Sequence, residues 1–184
     1  MLGILALETD REYNFTGFAI EVMNEQDPVI APVVAHDQDA RIAANVQSDL
    51  AVPASFISAQ LAEITTRQHL NRQTHAVHAA AWCRPEHEMV LREDIGCHNA
   101  LDKLAGALVR KHVEARQGLL VLSSRVSIEM VQKSAAIGIP IIVAISAPTA
   151  LAVRACDRAG VTLIAVARQD GFEVFTHPRR IRGS

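Results

Sequence analysis

Three short apolar runs constrain the fold of this chain more than any other feature of its sequence. They cover residues 119–122, 140–145 and 161–167, and none of them contains a charged residue. Continuous apolar runs of this length, without polar alternation, are typical of strands buried on both faces of a parallel sheet. The C-terminal half of the chain is therefore expected to contain three neighbouring parallel strands.

The segments between these runs have the length and the boundary residues of helices. Residues 127–137 and 148–159 are each followed by a glycine, Gly138 and Gly160, and glycine readily ends a helix. Pro148 falls in the first turn of the second segment, where its missing N–H is tolerated. The alternation of strand and helix predicts an α/β fold with a largely parallel sheet. Right-handed crossovers would place both helices on one face of that sheet.

Weaker patterns extend the sheet on both sides. Residues 76–82 and 89–91 are strand candidates. Residues 98–112 are a predicted helix, because leucines recur there at helical spacing. After a turn at Gln169-Asp170-Gly171, residues 172–176 are predicted to form a C-terminal edge strand.

The first third of the chain has a less regular pattern. Residues 17–23 could form a short helix, and residues 58–69 are a better helix candidate because Ser58 can cap them. We expect residues 1–66 to form an N-terminal segment packed on the core and residues 67–184 to form the α/β domain.

Composition and charge exclude several classes of protein. The chain has 18 basic and 20 acidic side chains, and its net charge of −2 creates no field that would attract nucleic acid. No apolar run approaches the ~20 residues that span a bilayer, and the N-terminus lacks the basic start of a signal peptide. Three cysteines without close spacing fit a reducing compartment. We therefore expect a cytoplasmic protein that binds neither nucleic acid nor membrane.

The ends of the predicted parallel strands are the best candidates for a binding site. Ligands of open α/β sheets collect beyond the carboxyl ends of the strands, where helix N-termini present free N–H groups. Three loops qualify, at residues 123–127, 146–149 and 168–172. Hydroxyls and an arginine in these loops could bind an anion such as phosphate, because arginine engages two oxygens at once. Ordinary helix capping is the alternative explanation for the hydroxyls.

A second group of ionisable residues lies where the strand near residue 90 passes into the next helix. Asn99 and Lys103 are four residues apart and share a helix face. Asp94 and His98 could exchange protons or bind amines and hydroxyls. Cys97 stands beside the predicted helix N-terminus and is the best candidate for a reactive cysteine, with a small buried filler as the alternative.

Four residues within a short span could suggest a zinc site: His75, His78, Cys83 and His87. Their spacing matches none of the usual structural zinc patterns, and no second cysteine pair accompanies them. The sequence also lacks the His-x-Glu and Pro-Cys-x-x-Cys motifs of zinc deaminases. We expect no zinc.

Five blocks of sequence between residues 73 and 180 follow one another without large gaps. They are His78-Ala79-Ala80-Ala81-Trp82, the run from Arg92 to Lys103, the run from Ser123 to Lys133, the run from Ser146 to Val153, and Phe175-Thr176-His177-Pro178. In this order they resemble the formate dehydrogenase accessory protein family, FdhD.

The resemblance implies a cytoplasmic maturation factor with a cytidine-deaminase-like, three-layer core. Members of that family take sulfur from a cysteine desulfurase as a persulfide and bind the molybdenum bis-guanine-dinucleotide cofactor of formate dehydrogenase. GDP would serve as a fragment of that cofactor. Together with the loops above, the resemblance gives the following cofactor-binding residues: His78, Asp94, His98, Asn99, Lys103, Ser124, Arg125, Ser146, Thr149, Ala167, Arg168, Gln169, Asp170, Gly171 and Phe172.

Two departures from the family pattern involve cysteine, one at the persulfide site and one at the anion site. The family carries its persulfide cysteine in a Cys-Gly-x-Cys-Gly loop upstream of the His-Ala-Ala block, and no cysteine precedes Cys83 in this sequence. Cys97 stands where the family usually has arginine, which removes one cation from the expected anion site.

Three functions remain open at this point. The first is a maturation factor that binds the molybdenum cofactor and hands it to the catalytic subunit of formate dehydrogenase. The second is a sulfurtransferase that uses Cys97 or Cys83 as a relocated persulfide cysteine. The third is a non-catalytic association module that forms a homodimer through apolar surface.

Overall fold

A six-stranded sheet with helices on both faces forms the centre of the protein. The computed structural model describes residues 45–168 and 171–183, which belong to a compact unit that begins at Ala44. The helix predicted at residues 17–23 lies outside the described residues. In chain order the elements are β1 (Val52–Pro53), α1 (Ala54–Arg67), α2 (His69–Thr74), β2 (His78–Cys83), β3 (Val90–Asp94), α3 (Cys97–Arg110), β4 (Leu119–Leu122), α4 (Ile128–Ala136), β5 (Ile141–Ala144), α5 (Ala150–Ala159), β6 (Thr162–Ala165), β7 (Glu173–Val174) and β8 (Ile181–Arg182).

The predicted α/β class is confirmed, but the sheet is mixed and not largely parallel. Its strand order is β3-β2-β4-β5-β6-β7. Only β4–β5 and β5–β6 pair in parallel, whereas β2–β3, β2–β4 and β6–β7 are antiparallel. The physical reason is the length of the connections. A short turn between β2 and β3 permits only an antiparallel hairpin, and parallel neighbours need a crossover such as α4 or α5.

The three apolar runs contain the central strands β4, β5 and β6, and every residue of these three strands is buried. One face of the sheet packs against α1 through Ile57, Leu61 and Ile64. Alternate strand residues point to the opposite face, which α3, α4 and α5 cover, and α4 and α5 contact each other there. The helices therefore lie in two layers with the sheet between them.

Both glycines that were predicted to end helices do so. Gly138 has a φ of 82° and Gly160 a φ of 69°, in the left-handed region that glycine adopts without strain. The start of α5 differs from the prediction. Thr149 is its N-cap and accepts a hydrogen bond from the N–H of Ala152 at 3.1 Å, so Pro148 precedes the helix.

The N-terminal part of the described chain contains a longer helical region than residues 58–69. The helix α1 runs to Arg67, and after a break at Gln68 the chain continues as α2. The carboxylate of Glu93 accepts hydrogen bonds from the first N–H groups of α2, at Leu70 and Asn71. This cap comes from a residue distant in sequence, which local pattern could not show.

Two short segments connect the ends of the described chain. Strand β1 pairs in parallel with β8.

Among the described residues, no helix is both long enough and apolar enough to cross a membrane.

Candidate functional site

The loops that follow β4, β5 and β6 lie side by side and are connected by backbone hydrogen bonds. The N–H of Thr149 donates to the carbonyl of Val126 at 3.1 Å, which joins the first loop to the second. The N–H of Val166 donates to the carbonyl of Ser146 at 3.4 Å, which joins the second to the third. The predicted convergence of the three loops is therefore present in the structure.

The hairpin of β2 and β3 brings further predicted residues to the same end of the sheet. Because β2 runs against β4, its first residue, His78, lies beside the last residues of β4 and pairs with Asp94. The contact is closed by Ser123, whose Oγ accepts a hydrogen bond from the N–H of Ala79 at 2.8 Å. We call this end of the molecule the strand-tip site, comprising His78, residues 94–99, 123–127, 146–149, 166–168 and 171–172.

Three helices begin at the strand-tip site. The first residues of α3, α4 and α5 are Cys97, Ile128 and Ala150. Each helix has at least nine residues, and a helix N-terminus carries a partial positive charge and free N–H groups. The arrangement is electrostatically suited to an anion.

The two arginines of the site differ in how they are used. Arg125 is exposed, and its side chain forms no hydrogen bond or ion pair with any other residue that the structure describes. Arg168 donates to the carbonyl of Ile145 at 2.6 Å and to its own neighbour Ala167 at 3.1 Å. No described residue holds the Arg125 guanidinium, which can therefore bind an anionic ligand, whereas the Arg168 guanidinium is occupied by backbone carbonyls.

Asp94 organises the turn between β3 and α3. Its carboxylate accepts hydrogen bonds from the N–H of Gly96 at 2.9 Å and from Asn99 at 3.3 Å, and it forms an ion pair with Lys103. These partners, Lys103 first, lower the pKa of Asp94 below its usual value. Asn99 and Lys103 thus brace this turn, and Ile95 at its tip is 79% exposed.

Three hydroxyl groups of the site already have partners, and Ser123, described above, is one of them. Ser124 is buried, and its Oγ donates to the carbonyl of Arg125 at 3.1 Å. Thr149 caps α5, so helix capping, the alternative to anion binding, accounts for the contact of its hydroxyl. Ser146 is half-buried.

His98 faces a charged pair between α3 and α4. Lys133 contacts both carboxylate oxygens of Asp102, at 2.8 and 2.7 Å, and its side chain is only 9% exposed. Burial lowers the pKa of His98, and the nearby positive charge of Lys133 lowers it further. His98 is therefore expected to be neutral at pH 7.

The three cysteines have different accessibility. Cys83 and Cys156 are buried, and burial raises the pKa of each thiol to about 12. Cys97 is half-buried at the first residue of α3. Of the two predicted alternatives for a persulfide cysteine, the structure disfavours Cys83 because a buried thiol with a raised pKa is a poor nucleophile.

The remaining predicted residues are placed as follows. Ala167 is buried in the hydrophobic core, and the partly buried Phe172 packs against that core. The carbonyl of Gly171 accepts a hydrogen bond from the N–H of Arg168 at 2.7 Å. Gln169 and Asp170 lie outside the described residues. Across residues 45–168 and 171–183, no group of three or more His, Cys, Asp or Glu side chains could hold a metal ion.

The last block that carries the resemblance has a structural role. Thr176 is buried, and its Oγ1 accepts from the N–H of Leu163 and donates to the carbonyl of Val161. The following His177 contacts the carbonyl of Asp157. These contacts lie around β6, towards the end of the sheet opposite the strand-tip site.

Two surface concavities lie away from the strand-tip site. One of about 400 Å³ is bordered by residues 47–50, Arg84, Arg116 and Gln117. Another of about 500 Å³ is bordered by residues 88–92 along β3, with Arg67, His69 and Lys111. Neither concavity is bordered by a residue of the strand-tip site.

Sequence reasoning missed two features of the strand-tip site. Val166, directly after β6, has a left-handed backbone with a φ of 52°, although valine strongly disfavours that region. Ile95 exposes most of its side chain. No local pattern in the sequence signals either feature.

A model of the FdhD/NarQ family matches residues 28–182 of the chain. The chain belongs to this family. Among FdhD relatives, the sulfur carrier protein FdhD of Agrobacterium fabrum is 46% identical over 147 residues, which cover 79% of this chain and 54% of the relative. The protein of the same name from Brucella abortus is 49% identical over 126 residues, covering 68% of this chain and 47% of the relative.

The FdhD/NarQ chain described here therefore spans about half the length of these curated relatives. A similar solved structure is that of a protein described as a formate dehydrogenase accessory protein, from Desulfotalea psychrophila. It has a TM-score of 0.69 and 32% sequence identity, and the match covers 73% of this chain and 61% of that chain.

Proposed function

We propose that this FdhD/NarQ protein is an accessory factor in formate dehydrogenase maturation and that it binds the molybdenum bis-guanine-dinucleotide cofactor at the strand-tip site. The observation that carries the proposal is the side-by-side arrangement of the loops after β4, β5 and β6, together with Arg125, which is exposed in the first loop and has no partner among the described residues. The names of the relatives support the accessory role.

The residues present fit the anionic part of such a cofactor. The Arg125 guanidinium can engage two phosphate oxygens at once. At the starts of α4 and α5, the N–H of Glu129 donates to its own carboxylate and the N–H of Ala152 donates to Thr149. The other first-turn N–H groups can complete the shell. His78 is exposed beside them and can donate a further hydrogen bond. When bound, the cofactor supplies the molybdenum centre to which sulfur is delivered. The protein's own residues would bind and orient its pyrophosphate groups.

Calorimetric titration with GDP tests this proposal. We expect the wild-type protein to bind GDP and the variant Arg125→Ala to bind it about tenfold more weakly, because a charge-assisted contact is lost. Arg110→Ala is the matched control, since Arg110 is exposed at the other end of α3. No heat and no thermal shift with millimolar GDP would contradict the proposal.

A second candidate function is sulfur transfer through Cys97. It is favoured by one observation, that Cys97 is the least buried of the three cysteines and begins α3. The Cys97 thiolate would attack the outer sulfur of a desulfurase persulfide. A new S–S bond would form on Cys97, and the desulfurase cysteine would leave as a thiolate.

Mass spectrometry after incubation with a cysteine desulfurase and free cysteine tests this second function. We expect the protein to gain the mass of one sulfur atom, the Cys97→Ala variant to gain none, and the Cys83→Ala variant to behave as wild type. A persulfide that persists in the Cys97→Ala, Cys83→Ala double variant would exclude it.

The partners of the protein also remain proposals. We propose the catalytic subunit of formate dehydrogenase as the recipient, a cysteine desulfurase as the sulfur donor, the cytoplasm as the location, and a homodimer as the assembly. A compact monomer in sedimentation analysis would contradict the homodimer and the association role.

A further inference from the structure

Val166 has a strained backbone at the strand-tip site. Its φ of 52° lies in the left-handed region, which β-branched residues avoid because the side chain clashes with the backbone there. Glycine would adopt the same conformation without strain. Val166 is half-buried and is not one of the core residues, so core packing does not account for the valine.

The turn at Val166 is coupled to the position of Arg168. The N–H of Ala167 donates to the carbonyl of Ala144 at 3.1 Å, which draws the chain back over the end of β5. Directly beyond it, the Arg168 guanidinium donates to the carbonyl of Ile145 at 2.6 Å. The left-handed backbone and the occupied guanidinium therefore belong to one local arrangement, which we call the seated state of Arg168.

We infer that the strain at Val166 makes the seated state readily reversible, so that Arg168 can leave the Ile145 carbonyl and bind an anionic ligand beside Arg125. This inference rests on the proposed function. Relaxation of Val166 to an extended backbone relieves the strain but breaks the hydrogen bond of Ala167, so the two effects oppose each other. A ligand that contacts only the released guanidinium shifts the population towards the released state.

Substitution of Val166 by glycine separates strain from the rest of the site. Glycine takes the left-handed conformation freely, so Val166→Gly should favour the seated state. We expect the affinity for pyrophosphate, measured by calorimetry, to fall about tenfold, while the thermal unfolding midpoint stays the same or rises. The matched control is Glu86→Gly, because Glu86 has a φ of 64° in the turn between β2 and β3, away from the site. This control should leave the affinity unchanged.

A double substitution shows whether Val166 acts through Arg168. In an Arg168→Ala background there is no guanidinium to seat or release, so Val166→Gly should no longer change the affinity for pyrophosphate. A purely structural role of Val166 would give the same loss in both backgrounds.

The possible outcomes separate the inference from the proposed function. If Val166→Gly binds pyrophosphate as tightly as wild type or more tightly, or if its loss persists in the Arg168→Ala background, the inference is wrong and the proposed function stands. If the wild-type protein binds neither GDP nor pyrophosphate, the proposed function fails and the inference fails with it.

Discussion

Gly118 lies directly before β4, and the space that a side chain would need there is already filled. A Cβ at this position would lie 2.7 Å from the carbonyl oxygen of Cys83 and would also overlap the indole of Trp82. Trp82 cannot move easily, because its Nε1 donates to the carbonyl of Ala115 at 3.0 Å. We expect Gly118→Ala to lower the free energy of unfolding by about 1–3 kcal/mol, measured by urea denaturation.

Gly106 provides the control for this substitution. It lies in the interior of α3, and outside the helix's own backbone no atom lies within 4 Å of the point that a Cβ would occupy. Gly106→Ala should stabilise the protein by roughly 0.5–1 kcal/mol, since alanine favours a helix. Equal effects of the two substitutions would contradict the steric explanation.

Asp94 gives the strand-tip site a pH dependence with a defined sign. Its folded-state pKa is lowered from 3.8 by Lys103, Gly96 and Asn99, so its contacts stabilise the protein only when the carboxylate is charged. This contribution is present above pH 3.8 and is lost as the pH falls through the lowered pKa. We expect Asp94→Asn to reduce stability by at most about 1 kcal/mol at neutral pH.

Thermal unfolding of wild type and Asp94→Asn at several pH values checks this expectation. The difference between the two proteins should shrink as the pH is lowered towards about 3. A difference that stays constant down to that pH would show that the charge of Asp94 is not involved.

At the level of residues, the sequence predicted which loops lie side by side better than it predicted the contacts of each side chain. It predicted that Arg125 and Arg168 lie together, because both follow parallel strands. It could not predict that Arg168 binds the carbonyl of Ile145, or that Ser124 is buried. Those contacts depend on the detailed path of three loops that are distant in sequence.

At the level of elements, α2 depends on one distant side chain. This helix has six residues, and its first N–H groups are capped by the Glu93 carboxylate at 2.9 and 3.0 Å. Such a short helix is unstable alone. We expect Glu93→Ala to weaken α2 by about 1 kcal/mol, as the loss of an N-cap does, and to accelerate amide hydrogen exchange across residues 69–74.

Glu88→Ala is the matched control for the cap of α2. Its side chain is 80% exposed and contacts Arg67 at 3.4 Å, so its loss should leave the exchange of α2 unchanged. Protection of residues 69–74 that survives Glu93→Ala would refute the capping role.

How accurately each element was predicted depends on whether local sequence or distant contacts determine it. The central strands were predicted closely because their burial requires continuous apolar runs, and the ends of α4 and α5 because glycine is needed at positive φ. The division between α1 and α2, and the antiparallel direction of β2, were not predicted. The cap of α2 by Glu93 and the pairing of β2 with β4 are contacts between segments that are far apart in the chain.

At the level of the whole molecule, Arg180 connects the two ends of the described chain. It is buried, and its guanidinium donates to the carbonyls of Val46, Ser48 and Gly160 and to Thr162 Oγ1. Substitution by methionine would leave these buried acceptors without a donor. We expect Arg180→Met to lower the free energy of unfolding by about 3 kcal/mol.

Hydrogen exchange would locate this loss. Amides of residues 45–53 and 181–182 should exchange faster in Arg180→Met. The exchange of amides in β4 and β5 should accelerate by no more than the loss of global stability predicts. Arg182→Met, at an exposed position in β8, is the control. Uniform acceleration in every strand would show that Arg180 contributes only to global stability.

The antiparallel direction of β2 determines which segments of the chain a ligand at the strand-tip site would contact. Because β2 begins at the end of the sheet where β4, β5 and β6 end, one small molecule bound there would contact segments that are far apart in sequence, from His78 to Arg168. It would act as a non-covalent staple across the chain and restrain local opening of every stretch it joins. We therefore expect the ligand-bound protein to resist proteolysis in all segments of the strand-tip site together.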